Sequence, residues 1–540
     1  MKDISSTGSF IKFYLNNYIY VDKTKYIRDL IKLERVFISR PRRFGKSLTL
    51  DTIATLFETG VEPYFKGTWI YDKWTEPTYP VLRLNFLNFD KNSIEKFNNK
   101  LNSKITEFAE LNKVTTYKEK EEAEDSIDHL LEQLRLENRQ IVILIDEYDC
   151  QMTANINNET LYKQFQEKIK SFYANLKDKL AIKFLGITGV TRLKDVEIFS
   201  IGSDINDITN DSAYSQMIGF TRDEIKKYYI DYLKFAASCE NNCNVDEVTE
   251  AQIESLLDRL AKNYDGYCFD EFYKKKVFST WSVNKFFQSV VSNKFVYFGE
   301  YWYDNGGLPS ILVNYLKTHE LNIFEYLDKD KFLKVSSDDF KNPTALTTIN
   351  QNVLMCQTGY LTLRSDLNKT STVALGIPNG EIYKALNRLL ANNIFKGNTD
   401  ITDDYGRSLL EVGTVDDIIN LFNSALNSVS YDNYPIVSES SVQNMLKLYL
   451  LGAHQKVLSE VHEAKGRADL VVNTDNRRIV FEFKYAKNET EAKSKLHDAV
   501  EQIKTRDYGN IVPNKTELLR IAAVFNADPK VRAFTEYQEV

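Results

Sequence analysis

The sequence predicts an α/β protein with two separate working parts, a helix-flanked parallel sheet in the N-terminal half and a smaller α/β unit near the C-terminus. Three observations carry this. A short apolar run, Val36 to Ser39, leads through Gly45-Lys46-Ser47 into a helix whose apolar face is Leu48, Ile53, Leu56 and Phe57. A second run, Ile141-Val-Ile-Leu-Ile145, is the pattern of a strand buried on both faces, as parallel sheets require, and it ends in Asp146-Glu147. Far downstream, Gly466 to Val472 and Ile479 to Lys484 read as two strands around a turn at Thr474-Asp475-Asn476.

Composition bounds the rest. With 540 residues, 43% of them hydrophobic and 27% charged, and only 10 Pro and 21 Gly, the chain describes a folded protein of more than one core. The N-terminus lacks a basic-then-apolar leader, and no apolar run approaches the roughly 20 residues that cross a bilayer, so a cytoplasmic protein without a membrane partner is expected. Five cysteines fit a reducing compartment, and Cys239 and Cys243, the one close pair, have no histidine near them to complete a zinc site. A net charge of −7 supplies no global attraction for nucleic acid, which leaves a local basic groove open.

Gly45-Lys46-Ser47 after a strand is the context of a phosphate-binding loop. Backbone N–H groups and the helix N-terminus hold phosphate oxygens, Lys46 neutralises the outer phosphates, and the Ser47 hydroxyl reaches Mg²⁺. The first glycine of G-x-x-x-x-G-K-S/T is missing, because position 40 is Arg40 in a basic run with Arg42 and Arg43. The pairing with Asp146-Glu147 decides the matter. At the carboxyl end of a buried strand, Asp146 is placed to hold the Mg²⁺ of a bound nucleotide, and Glu147 to polarise the water that attacks the γ-phosphate. Asp149 is a partner of Lys46 or Arg42, or a helix cap.

Ahead of the loop, Phe13-Tyr14 and Tyr18 to Val21 precede an amphipathic helix carrying Tyr26, Ile27, Leu30 and Ile31, placed either against a nucleotide base or over a sheet edge. Pro80 to Phe86 reads as a strand, Asp90 to Glu124 as a solvated helical stretch, and Ile127 to Leu136 as a helix. Ile182 to Gly189 is another strand; Thr188 at its end is placed to sense the γ-phosphate, and Arg192 to reach the nucleotide, a neighbouring subunit or an ordinary surface acid. Phe199 to Asp207 reads as a loop, and Thr221 with Glu224 as a capping box that closes the sheet domain. The expected organisation is a sheet domain over 1–219, a helical lid over 220–315, a mainly helical connection over 316–430 with a linker at Tyr431 to Pro435, and the second unit over 431–540.

In that unit side chains alternate at period two, so Glu482 and Lys484 share one face while Phe481 and Phe483 bury the other. With Asp469 on the adjacent strand, two carboxylates and an ammonium converge. Carboxylates that hold Mg²⁺ and a lysine that orients or deprotonates water are what phosphodiester hydrolysis needs. Glu460 is the preferred further acid, the helix Glu491 to Ile503 brings Gln502 and Tyr508 to the same cleft, and Leu519 to Phe525 is the last strand expected.

Arg40-Pro-Arg-Arg-Phe-Gly-Lys-Ser47, Ile145-Asp-Glu-Tyr-Asp149, Thr188-Gly-Val-Thr-Arg192, Gln357-Thr-Gly-Tyr360, and Gly466-Arg-Ala-Asp469 with Glu482-Phe-Lys484 together resemble the bacterial AAA-ATPase-like proteins that carry a C-terminal PD-(D/E)XK nuclease domain. The resemblance covers nearly the whole chain. It implies a P-loop NTPase fold of the ASCE/AAA type with a helical lid, then a restriction-endonuclease-like α/β domain. That family's loop ordinarily lacks the first glycine, so the resemblance implies Mg²⁺-ATP on Lys46, Ser47 and Asp146 with hydrolysis by Glu147, and the basic run Arg40, Arg42 and Arg43 is read with Phe44 and Gly45 as part of a family-specific phosphate cradle. It further implies nuclease metals on Asp469 and Glu482 with Lys484. The expected activity is an ATP-coupled, Mg²⁺-dependent nuclease acting on DNA before RNA, open to homo-oligomerisation and to a defence or mobile-element setting; the alternative is a nucleotide-controlled regulatory switch or binding protein with a silent or inactive nuclease fold. Where the family commonly offers an acid and a histidine, this chain has Glu439 and Gln443; a box from Ser440 to Gln443 would leave Glu439 outside the helix.

Overall fold

The structure is a computed structural model that describes residues 1–193, 204–304, 310–316, 319, 323–343, 345–395, 405–453, 456–463, 466–508 and 517–540. Its contacts divide the chain into two compact units, Met1–Leu321 with Asp330–Ile382, and Asn322–Lys329 with Tyr383–Val540. The second unit thus takes in helices upstream of Tyr431.

The first unit opens with helices α1 (Phe10–Leu15) and α2 (Thr24–Ile31) and then alternates strand and helix: β1 (Arg35–Ser39), α3 (Lys46–Thr59), β2 (Val81–Asn85), α4 (Ile94–Leu111), α5 (Ala123–Leu136), β3 (Ile141–Asp146), α6 (Cys150–Ala154), α7 (Glu159–Ala174), β4 (Ile182–Gly189) and β5 (Asn206–Asp207). The strands form one parallel sheet in the order β2-β3-β4-β1-β5. Inserting β4 between β1 and β3 spaces the phosphate loop, which leaves β1, from the acids that end β3, and a nucleotide fits in the crevice outside the strand ends. Ile141 to Ile145 are buried, as a strand covered on both faces must be.

Three local expectations are corrected. The loop read as ending at Asp207 contributes β5; its residues 199–203 lie outside the described residues. The stretch from Asp90 is less solvated than its composition implies, because α4 buries Phe97, Leu101, Ile105 and Phe108. Its buried Asn98 and Asn102 amides donate to the main-chain carbonyls of Lys120 and Glu121. Asp149 is neither a partner of Lys46 nor a side-chain cap. Its carboxylate accepts from Val190 N, Thr191 N and Thr191 Oγ1, which staples the exit of β3 to the exit of β4. Beside this staple, a Cβ built on Gly189 would lie 2.6 Å from Tyr148 Cε1 and 2.8 Å from Asp149 Oδ1.

The lid follows as α8 (Arg222–Tyr228), α9 (Ile230–Asn241), α10 (Glu250–Tyr264) and α11 (Thr280–Asn293). Thr221 and Glu224 exchange the two hydrogen bonds of the capping box. The lid core includes Leu233, Leu257, Leu260, Phe286 and Phe287, and Ile19 and Val21 of the N-terminal segment join it. The short α12 (Tyr301–Asp304), α13 (Ser310–Leu316), α14 (Ser337–Lys341) and α15 (Gln351–Thr358) accompany a three-stranded sheet of β6 (Leu333–Ser336), β8 (Thr372–Gly376) and β7 (Thr362–Leu363) in that spatial order. The two-unit division falls inside α16 (Gly380–Ile394).

The second unit continues with α17 (Tyr405–Val412), α18 (Val415–Asn427), α19 (Glu439–Gly452), β9 (Lys456–Glu463), β10 (Gly466–Asn473), β11 (Arg477–Ala486), α20 (Glu489–Arg506), β12 (Glu517–Asn526) and β13 (Ala533–Glu539). Its sheet runs β13-β12-β11-β10-β9, antiparallel except for β11 with β12, which are parallel across the α20 crossover. Period two sorts the faces. Phe481 and Phe483 meet Phe422 of α18 and Phe534, while Val480 and Ala522 pack under Ala499, Val500 and Ile503 of α20. A further correction is β13, beyond the strand expected to be last; it buries little besides Phe534 and its alternation is too polar to announce a strand. Among the described residues no helix is long and apolar enough to cross a membrane.

Candidate active sites

At the first site, β1 delivers the loop and α3 begins at Lys46. The turn uses left-handed backbone at Arg43 (φ 68°) and Gly45 (φ 108°), and a Cβ built on Gly45 would meet nothing within 4 Å, so the loop faces open space. The Lys46 ammonium donates to Arg40 O (2.9 Å) and Pro41 O (3.2 Å) and lies 3.8 Å from Glu147 Oε1. Ser47 Oγ donates to Asp146 Oδ2 (2.6 Å), and Asp146 Oδ1 accepts from Thr188 Oγ1 (2.5 Å) and Glu147 N (3.0 Å). Glu147 itself takes a left-handed φ of 53°, a cost a non-glycine residue bears where geometry is put to use. Burial pushes its carboxyl up against the pull of Lys46, with Asp149 and Asp146 adding to the rise.

A cavity of about 480 Å³ opens on Gly45, Lys46, Ser47, Arg42 and Glu147, a volume in the range of small-ligand sites. Its far wall includes Ile19, Val21, Met217 and Phe220 with Trp281 and Asn284 of the lid. The open loop, the ammonium aimed along it and the Ser47–Asp146 pair fit a nucleotide's phosphates with a divalent cation.

Several loop residues go elsewhere. The Arg43 guanidinium donates to Tyr301 O and Trp302 O (3.1 Å each) and lies 4.6 Å from the Trp281 ring centre, so it ties the loop to these residues while still lining the cavity. Phe44 is buried among Tyr267, Phe269 and Trp302, which leaves only its backbone for a ligand. Arg40 is fully buried, donates to Ser39 O and Thr209 O and stacks on Phe269; burial lowers its pKa to about 9. It is therefore a structural cation and no part of a phosphate cradle. Arg192 pairs with Asp207, exchanges main-chain bonds with the Gln357 amide and lines a separate small cavity with Arg40; the structure does not bring it to Lys46.

At the second site, the register pairs Leu470 with Phe481, which sets Asp469 beside Glu482. Asp469 Oδ2 accepts from Phe483 N (2.8 Å), and its main-chain oxygen accepts from the Gln443 amide of α19. Glu482 Oε1 accepts from Lys484 Nζ (2.7 Å), while the buried Oε2 has no hydrogen-bond partner. Burial, with the Asp469 charge added, raises the Glu482 pKa to about 7 although Lys484 opposes it; burial likewise raises Asp469. Burial alone would lower Lys484, but its bond to Glu482 and the charges of Glu439 and Asp469 outweigh that and raise it. An orphaned carboxylate oxygen beside a second carboxylate is a donor set short of a cation.

Ser438 caps α19 through Ser441, so Glu439 is its first residue rather than lying outside it, and its carboxylate is 3.5 Å from Lys484 Nζ. The Ser440 to Gln443 box is thereby corrected. The pairs Ala468 with Val461 and Leu470 with Ser459 set the Glu460 backbone opposite Asp469; its side chain lies outside what the structure describes. Gln502 donates to the Tyr508 hydroxyl (3.3 Å), which Arg506 also reaches (2.9 Å). Sequence reasoning missed Arg506, Trp281 and Asn284, which carry no motif. Among the described residues no three His, Cys, Asp or Glu side chains form a metal-holding group.

Comparison with known proteins gives these parts their relatives. The family model described as predicted AAA-ATPase matches residues 5–199, and that of the PD-(D/E)XK nuclease superfamily matches residues 437–535. An uncharacterized protein in the vnfD 5′ region of Azotobacter chroococcum mcd 1 is 26% identical over 531 residues, 95% of this chain and 94% of that protein. The crystal structure of Cdc6p from Pyrobaculum aerophilum aligns at 11% identity over 68% of this chain and 92% of that one, with a TM-score of 0.22, too low to bear on the fold. The chain thus joins an AAA-ATPase-like domain to a C-terminal domain of the PD-(D/E)XK nuclease superfamily.

Proposed function

We propose that the chain binds and hydrolyses ATP with Mg²⁺ at the first site and cuts phosphodiester bonds of nucleic acid, DNA before RNA, at the second, with nucleotide state controlling cleavage. What carries this reading is that one chain holds two separate lysine–carboxylate sites, each with its acids at strand positions facing an open or unsatisfied space.

In this reading Lys46 and the loop amides hold the outer phosphates, Arg42 adds positive charge, and Ser47 and Asp146 hold the cation. Glu147 accepts a hydrogen bond from the attacking water, and its raised pKa suits it to take that proton. Thr188 keeps Asp146 aimed. At the second site Asp469 and Glu482 would hold a divalent cation, and Lys484, which its acidic neighbours keep protonated, orients the attacking water. A bound cation polarises the phosphate and stabilises charge on its oxygens. Lys484 is engaged by both Glu482 and Glu439, which favours a nuclease that rests until its ligands arrive, as in a defence or mobile-element setting.

The test is cleavage of single- and double-stranded DNA and RNA, with and without ATP, by the wild type, Lys46→Ala and Asp469→Ala. The expected result is Mg²⁺-dependent DNA cleavage lost in Asp469→Ala and altered in its ATP dependence in Lys46→Ala. Equal cutting by the wild type and Asp469→Ala would remove the site assignment.

A further inference from the structure

The N-terminal residues 2–8 cross the cavity of the first unit as a strap. One set of bonds fastens it to the lid. The Tyr232 hydroxyl donates to Lys2 O (2.8 Å), Gln288 Nε2 to Ile4 O (3.1 Å), and Asn284 Nδ2 to Ser5 O (3.3 Å) and Ser6 Oγ (3.4 Å); the Ile4 side chain packs on the lid core. Ile19 N, whose side chain joins the lid core, donates to Asp3 O (2.9 Å), and just past the strap Phe10 N donates to Asp51 Oδ2 on α3 (2.6 Å), which ties its end to the sheet domain. Between these anchors Ser5, Ser6, Thr7 and Gly8 line the 480 Å³ cavity, and a Cβ on Gly8 would come 3.6 Å from Ser47 Cβ. The strap therefore runs from the phosphate loop to Asn284.

Met1 to Asp3, Ser6 and Gly8 are exposed. A segment that buries so little is held chiefly by its hydrogen bonds, each of modest net strength, so its order depends on what fills the space beneath it. Asn284, which anchors it, also accepts from the Tyr229 hydroxyl (2.5 Å), and both residues line the cavity. The strap, lid and phosphate loop thus line one cavity.

We propose that the strap is a wall of the nucleotide site: Ser5 to Gly8 contact a nucleotide whose phosphates lie on Gly45 to Ser47, and Tyr232 and Gln288 are positioning residues that hold the wall closed. This rests on the nucleotide-binding reading of the first site. Nucleotide entering or leaving must then pass the strap, and the lid follows because the strap is tied to it.

The test uses the full chain, ADP as probe and two readouts, the ADP dissociation rate and hydrogen exchange at residues 2–8. The variant Tyr232→Phe with Gln288→Ala removes two ties without touching a residue that lines the cavity. It is expected to release ADP roughly ten-fold faster, and to lose the ADP-dependent protection of residues 2–8 that the wild type shows. Should that variant fail to fold, deletion of residues 1–6 is expected to release ADP as fast and to leave residues 7 and 8 without ADP-dependent protection. Dissociation within two-fold of the wild type, or wild-type strap amides that exchange equally with and without ADP, overturns the strap. A wild type that binds no ADP overturns the nucleotide reading itself.

Discussion

Both sites set a lysine beside a carboxylate, and they solve the problem of a buried acid in opposite ways. Asp146 is met on both oxygens, by Ser47, Thr188 and the Glu147 amide, and Lys46 rests on carbonyls of its own loop. Glu482 is met on one oxygen only and is held near neutral pH by burial. At the first site these groups are thus already paired, and Lys46 would exchange its loop carbonyls for an anion. The second is built with an unmet demand for a cation, because an unpaired buried carboxylate oxygen is costly to leave as it is.

The contrast breaks most sharply at Lys484 and at the acid beside Lys46. Lys484→Ala is expected to lower cleavage by about 10²–10⁴-fold, the usual reach of a positioned proton-transfer group, while ATP hydrolysis stays at the wild-type rate; single-turnover assays of both reactions check it. Next comes Glu147→Gln, expected to slow ATP hydrolysis by about 10²-fold while ADP still binds, which calorimetry can follow. A variant that loses ADP binding as well would make Glu147 part of the loop's scaffold.

The acid at the second site gives a pH effect of opposite sign to a salt-bridged one. Glu482 has a folded pKa of about 7, above the ordinary glutamate value, so its neutral form favours the fold at low pH and that contribution disappears as pH rises through about 7. Such a shift corresponds to about 3 kcal/mol. Glu482→Gln should therefore stabilise the protein at pH 8 and not at pH 4, read from chemical denaturation at both values. Cation binding must displace the same proton, so Mn²⁺ affinity in the wild type should fall about ten-fold per pH unit below pH 7. The smallest effect is expected from Thr188→Val, which takes one of several bonds from Asp146 and should cost about 1 kcal/mol of stability, with hydrolysis reduced no more than ten-fold.

What could be read in advance follows burial. Ile141 to Ile145 announce β3 because every side chain is interior, and Phe481 and Phe483 announce one face of β11, while Val480 and Glu482 on its other face are buried as well. The two residues of β5 carry no period at all, and β13 buries too little to show one. For the sites, Lys46, Ser47, Asp146 and Glu147 were legible because their spacing within one turn or strand end fixes their meeting. The arginines were not. Arg40 and Arg43 look like phosphate ligands in sequence, yet their partners are carbonyls of Thr209, Tyr301 and Trp302, which no local pattern connects to residues 40 to 43. Glu439 belongs to the same class: its meeting with Lys484 depends on how α19 lies along the sheet.

The tight passage at Gly189 bears on how this protein can vary. Any side chain there would enter the space of the Tyr148 ring and the Asp149 carboxylate at once, and those two groups join the exits of β3 and β4. A library saturating codon 189 and selected for folded protein should return glycine almost alone, whereas Thr188 next to it should admit serine. Mutational tolerance would then change abruptly between two adjacent positions, although of the two it is Thr188 that bonds to Asp146.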